Sequence, residues 1–222
     1  MGGEGIVPRV LVRLGPVEIT ATVLYTLIVS AVIVAVTLVM RLGQRRGLSV
    51  WQIASEFLME HLEGVMHDMA GSNPRPYTPL VVTLALFIGV ANLSGLVPGL
   101  HAPTADISTT AALAVIVFLA VPIYGIRSRG LGGYLRHYLQ PMPLFLPLEV
   151  FTELTRVLTL AVRLFGNVLS GELIIGVLVT LVGLLVPIPL MLLEVLTGVI
   201  QAYIFAVLTI VYLSAAIQVQ TD

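Results

Sequence analysis

The chain contains no cysteine, which excludes disulfides and thiol chemistry and leaves the redox compartment open. It also contains no lysine: all eleven basic residues are arginine, a compositional bias that carries no functional weight. Charge of either sign is scarce, at 10% of residues against about 25% in soluble domains. With 58% hydrophobic residues and a mean hydropathy of +1.04, the 222-residue chain reads as an integral membrane protein. A net charge of −1 gives no support for nucleic acid or an acidic partner. The opening "MGGEGIVPRVLVRLGPVEIT" lacks a signal-peptide layout, because Glu4 and Pro8 sit where a basic region should lead into an apolar run. It also lacks the Arg- and Ser-rich, acid-poor character of a transit peptide.

What the chain has is apolar length. A membrane span takes about 20 residues at 1.5 Å each. Residues 20–40 form one span, stopped by Arg41, Arg45 and Arg46; residues 79–98 form a second, ended by Pro98-Gly99. Residues 109–126 form a third, ended by Arg127 and Arg129, and an apolar helix carrying Gln201 closes the chain. Arg41, Arg45, Arg46, Arg75, Arg127, Arg129 and Arg136 fall on one side if the two central spans form a hairpin, with only Arg9 and Arg13 opposite. The positive-inside rule then sets residues 41–78 and 127–143 in the cytoplasm and the N-terminus outside. The loop "GLHAPTAD" faces outward with His101 and Asp106. Within 50–70, Ile53, Phe57, Leu58, Leu62, Val65, Met66 and Met69 recur at three-and-four spacing, with Glu56, Glu60, Glu63, His67 and Asp68 over much of the rest. That pattern predicts an amphipathic helix on the cytoplasmic surface or against a partner. Its acidic face favours a protein contact over anionic lipid; a plain solvated surface helix is the alternative.

The stretch from Pro147 to Pro187 is too long for a simple span. About 40 helical residues reach roughly 60 Å, twice the hydrocarbon thickness of about 30 Å, so the helix either breaks at Gly166 or Gly171 or runs strongly tilted. At 100° per residue, Arg156, Thr159, Arg163, Asn167 and Ser170 fall within about 40° of one line. Glu149 lies near that line and Glu153 is looser. Glu172 points to the opposite side of the helix, about 13 Å further along. In the last helix Glu194, Gln201 and Tyr212 share a face. Glu149 and Glu153 can snorkel to headgroups, and an Arg163–Glu172 ion pair could glue helices, although their phases differ by half a turn. An ionisable group inside the membrane is otherwise a pathway or partner residue by default.

At this point the residues resemble a known family. "RLFGNVLSGEL", with "IQAYIFAVLTIVYLSAA" further on, is similar to subunit a of the F-type ATP synthase membrane sector. "ANLSGLVPG" (91–99), "PTADIST" (103–109) and "GLGGYLRHYLQP" (130–141) agree in order, and the likeness covers roughly residues 50–217. The N-terminal "LVRLGPVEIT" looks closer to the alternate (N-type) operons, some of which are thought to move sodium. Two departures stand out: "TRVL" lacks the family's frequent proline after the basic residue at Arg156, and Ser108 replaces an asparagine after the loop aspartate.

The resemblance implies an all-α membrane protein with about five embedded helices, a cytoplasmic surface helix, and a tilted hairpin of two long helices (147–217) against a rotating c-ring. It implies a multi-pass protein of the bacterial inner membrane with a cytoplasmic C-terminus, partnered by c-ring subunits, peripheral-stalk b subunits and the rest of the complex. It implies no cofactor, no metal and no catalysis in this chain. Protons or sodium ions would pass through two offset half-channels, coupling ion flow to ATP synthesis or hydrolysis, with Arg163 separating them as the essential arginine. Thr159, Asn167, Glu172, Glu194, Gln201 and Tyr212 match the polar positions of the ion path. Asp106 matches the acidic residue of the outward loop, and Asn92 and Glu56 match polar positions of the inner access region. One expectation conflicts with another: a hairpin turning at Pro187–Pro189 sets Arg163 level with about residue 213, whereas the family pairs it with Gln201. A self-contained transporter is the rival reading, but it should show inverted repeats or broken-helix pairs, and no repeat is seen. A purely structural scaffold leaves Arg163, Glu172 and Glu194 unexplained.

Overall fold

The computed structural model describes residues 10–14, 17–43, 50–70, 77–97, 100–139, 146–183 and 185–217. Of the arginines that set the orientation, Arg9, Arg45, Arg46 and Arg75 lie outside the described residues. A short hairpin opens the structure, β1 (Val10–Leu14) pairing antiparallel with β2 (Val17–Thr20) through Leu14↔Val17 and Arg13↔Glu18, with an irregularity between Val10 and Val12. The span reading passed over it, though alternating apolar residues about a Gly-Pro dipeptide are a recognised hairpin signal. Among the described residues, every regular element after it is a helix.

Helix α1 (Ala21–Gly43) follows directly, then α2 (Val50–Ala70), α3 (Thr78–Ser94), a 3₁₀ turn (Pro103–Ala105), α4 (Ile107–Leu139), α5 (Leu146–Val182) and α6 (Ile188–Ile217). Four helices are long and apolar enough to cross a membrane, over Ala21–Val39, Ile107–Ser128, Phe151–Val182 and Ile188–Ile217; α3 is apolar but shorter, at 17 residues. This is an all-α membrane protein with a small N-terminal hairpin. Helix α3 ends at Ser94, short of the expected end of the span at 98, and Gly95 lets the chain turn sharply there: a Cβ on it would meet the Ala102 Cβ at 2.9 Å. Helix α4 continues past Arg127 and Arg129, and its break comes at Gly130, whose φ of +73° is open to glycine and strained for other residues. Charge ends a membrane span without ending a helix.

Helix α5 is unbroken at Gly166 and Gly171, which decides between the two expectations for this stretch. Its 32-residue apolar part is about 48 Å long and cannot stand upright in about 30 Å of hydrocarbon. Gly183, with φ +82°, terminates it.

The chain folds as two compact units, one comprising residues 1–46, 86–110 and 162–203, the other 47–85, 111–161 and 204–222. In the second unit Leu62 of α2, Val81 and Ala85 of α3, Ala120 and Val121 of α4, and Ala206, Ile210 and Leu213 of α6 form one buried cluster. The amphipathic helix α2 therefore packs on its own chain through Leu62, with Val65 beside it, while Phe57 of the same apolar stripe stays exposed. A second cluster joins Ala114 of α4 to Val157 and Ala161 of α5. In the first unit Ile88 and Ala91 of α3, Leu164 and Val168 of α5 and Ala202 of α6 are buried.

Candidate functional site

Within the first unit, the loop before α4 meets α3, α5 and α6 in a set of polar contacts. Asn92 is buried; its Nδ2 donates to the Gly198 carbonyl at 3.1 Å, and its Oδ1 accepts from Thr104 Oγ1 at 2.7 Å. The lack of a side chain at Gly198 permits this approach, since a Cβ there would sit 3.2 Å from the Asn92 Cβ. Asn92 thus clasps α6 and the loop at once. The resemblance matches Asn92 and Glu56 to polar positions of the inner access region; in the structure Asn92 bonds Thr104, between His101 and Asp106. Glu56 lies exposed on α2 in the other unit. Removing Asn92 strands two buried partners, at about 1–3 kcal/mol each. Asn92→Ala is accordingly expected to lower the thermal midpoint of the purified protein by several degrees, read by tryptophan fluorescence or differential scanning.

Asp106 stands just before α4, where its Oδ1 accepts from the Ser108 backbone N–H at 2.9 Å and the Ser108 hydroxyl at 2.6 Å. This is a helix N-cap. The serine that replaces the family's asparagine supplies the second of these bonds.

Glu172 and Glu194 come together across α5 and α6. Gly171 leaves the room: a Cβ on it would lie 2.5 Å from Glu194 Oε1 and 2.9 Å from Cδ. The Glu172 and Glu194 carboxylates interact electrostatically. Glu172 also meets His101, whose Nδ1 contacts Glu172 Oε1. Sequence reasoning placed His101 on the outward loop without giving it a part; no spacing rule links residues so far apart in the chain. The glue pair between Arg163 and Glu172 does not form, in keeping with their opposite phases.

The same Gly171–Glu194 contact sets the register of the hairpin. Stepping equally back along α5 and forward along α6 from that pair brings Arg163 level with Ala202, beside Gln201. Helix α5 ends at Val182, before Pro187. Arg163 and Gln201 share a level but differ in burial, Gln201 being 6% exposed and Arg163 exposed. Asn167 is half-buried on the arginine side, and Ser170 bonds back to its carbonyl at 3.0 Å. Among the described residues no carboxylate pairs with Arg163.

In the second unit, Arg156 sits over the Tyr212 ring at 5.6 Å from its centroid and reaches Glu153 at 3.4 Å. Arg156 and Tyr212, with Phe151, Thr152, Thr155 and Thr159, line an open groove of ≈ 330 Å³. Thr159, like Thr152 and Thr155, donates its hydroxyl to a carbonyl one turn back, at 2.8 Å for Thr159. Its oxygen remains free only to accept. Glu149 has a described backbone in α5, but its side chain lies outside the described residues.

These features define a polytopic membrane protein with an uncovered intramembrane arginine and a separate cluster of acidic groups. Residues 23–214 match the family described as "ATP synthase A chain". Among curated proteins, the chain is 46% identical over 221 residues to "ATP synthase subunit a 2" of a Bradyrhizobium species, covering 98% of this chain and 97% of that one. It is 47% identical over 206 residues to the protein of the same description from a Picosynechococcus species, covering 92% and 88%. A third relative, "ATP synthase subunit a 1" of Hahella chejuensis, is 39% identical over 221 residues, covering 99% and 93%. The chain belongs to the ATP synthase A chain (subunit a) family.

Proposed function

We propose that this chain is the ion-translocating stator subunit of an F-type ATP synthase in a bacterial inner membrane. It offers two offset half-channels to the carboxyl groups of a rotating c-ring and performs no ATP chemistry itself. The observation that carries this reading is Arg163, an exposed guanidinium near the middle of a long apolar span, with no ion pair among the described residues. A charge facing hydrocarbon costs several kcal/mol or more, and a guanidinium does not escape that cost by losing its proton. An anionic partner from outside the chain removes that cost. Exposed apolar side chains around it, Leu158 and Val162 on α5 and Leu196, Val199 and Ile200 on α6, give such a partner a flat apolar face.

A rotor carboxyl that carries its ion is neutral and passes through lipid. On reaching Arg163 it is drawn into the charged form and releases the ion into the exit channel. The fixed positive charge also repels cations that would leak directly across. Glu172 and Glu194 form the outward path, with Asp106 at its loop; Asn167, Gln201 and the accepting oxygen of Thr159 order water near Arg163. Glu56 and Tyr212 belong to the inner access region, and Asn92 holds the outward loop in place. Arginine asymmetry favours an outward N-terminus and a cytoplasmic C-terminus. Each charge crossing 100 mV releases about 2.3 kcal/mol, so several ions drive one ATP.

Purification in mild detergent tests the reading. The chain is expected to copurify with an oligomeric ring of small two-helix proteins and with peripheral-stalk b subunits. Ion conduction by the isolated chain in liposomes, with no ring present, would overturn it.

A further inference from the structure

Resting on the stator reading, we infer that His101 is the proton-exchanging group at the outward mouth of the path, in direct exchange with Glu172, and hence that the ion moved is a proton. His101 joins the two environments such a group must connect: its side chain is 70% exposed, while that of Glu172 is 23% exposed. Its Nδ1 faces Glu172 Oε1. Beyond Glu172 stands Glu194, seated in the gap at Gly171. The order from water inward is imidazole, carboxylate, carboxylate.

The groups facing His101 are few. Glu172 approaches from α5, and the Tyr25 ring of α1 lies 6.4 Å away, tilted by 58°. Asp106, on the same loop, is committed to Ser108. The loop needs no ion pair to hold it, because Asn92 already bonds Thr104 and Ala102 packs against Gly95, with Ala102, Pro103 and Thr104 all buried. A pairing that is redundant for structure and placed at the water boundary suits transfer. Imidazole is the side chain that exchanges protons near neutral pH, whereas hard cations such as sodium are held by oxygen ligands. In the inward direction Nε2 takes a proton from water, Nδ1 gives its proton to the Glu172 carboxylate, and the ring is left neutral as the other tautomer, resetting by exchange with water. Outward transfer is the reverse.

The test uses the assembled complex in inside-out vesicles, with ring copurification as the assembly control. His101→Gln preserves a hydrogen bond to Glu172 but carries no proton. It is expected to slow ATP-driven acidification about tenfold, less than the hundredfold or more typical of a general acid or base because water reaches the site. His101→Ala is expected to be slowed similarly and restored by imidazole loaded inside the vesicles, but not by pyrazole, which has the same shape and accepts no proton at neutral pH. Normal acidification in His101→Gln, a defect that imidazole leaves unchanged, or loss of assembly in both variants would overturn the inference. Absence of a ring from the wild-type preparation would instead sink the stator reading, so the two failures are distinguishable.

Discussion

Arg163→Ala is expected to reduce ion-coupled ATP synthesis below detection while the complex assembles normally. Both halves of that expectation come from one geometry. Arg163 makes no hydrogen bond or ion pair with another described residue and is exposed on α5, so its removal leaves no orphaned partner inside the chain. The variant even relieves the cost of an uncovered charge. On the stator reading, what it loses is the field that strips the ion from an arriving rotor carboxyl and bars direct leakage. Arg163→Lys is expected to recover little, because an ammonium in an apolar setting gives up its proton far more readily than a guanidinium. Synthesis driven by an imposed gradient in vesicles, normalised to the ring and stalk subunits recovered, checks both variants. Coupled synthesis retained by Arg163→Ala would remove the basis of the mechanism.

Much of this was legible in the sequence because two rules act locally. Apolar runs cannot be solvated, so the helices over 20–40, 50–70 and the long final pair were readable to within a few residues, and helical phase alone separated Arg163 from Glu172. The parts that were not legible depend on contacts between distant segments. The span over 109–126 was legible from its flanking charges, but the kink of α4 at Gly130, where the backbone takes a positive φ, was not. Spacing could not give the register of α5 against α6, since it turns on Gly171 admitting the Glu194 carboxylate. Asn92 was matched by resemblance to the inner access region, and its bonds to Gly198 of α6 and to Thr104 before α4 join segments that no spacing rule links. Tyr212, read as a path residue, is engaged by Arg156, which phase analysis had left as one member of a stripe. His101 had the right residue type in the right loop and no sequence signal naming Glu172 as its neighbour.

The second large effect is expected at Gly171. Because a Cβ at this position would lie 2.5 Å from Glu194 Oε1 and 2.9 Å from Cδ, any larger residue must displace the carboxylate or part the helices. Overpacking of this kind costs about 1–3 kcal/mol, and at an exposed-to-half-buried site the flexible side chain yields first. Gly171→Val is therefore expected to turn Glu194 away from Glu172 and to slow ATP-driven acidification by roughly tenfold or more, with ring assembly intact because the backbone of α5 keeps its helical bonds. Aspartate is one methylene shorter than glutamate and withdraws its oxygens from the occupied space. In the Gly171→Val background, Glu194→Asp should then restore part of the flux, whereas in the wild-type background the same change should slow it by opening a gap to Glu172. Opposite signs in the two backgrounds are the signature of contact coupling. Equal losses in both would mean that Gly171 serves only helix packing and that Glu194 carries no proton past it.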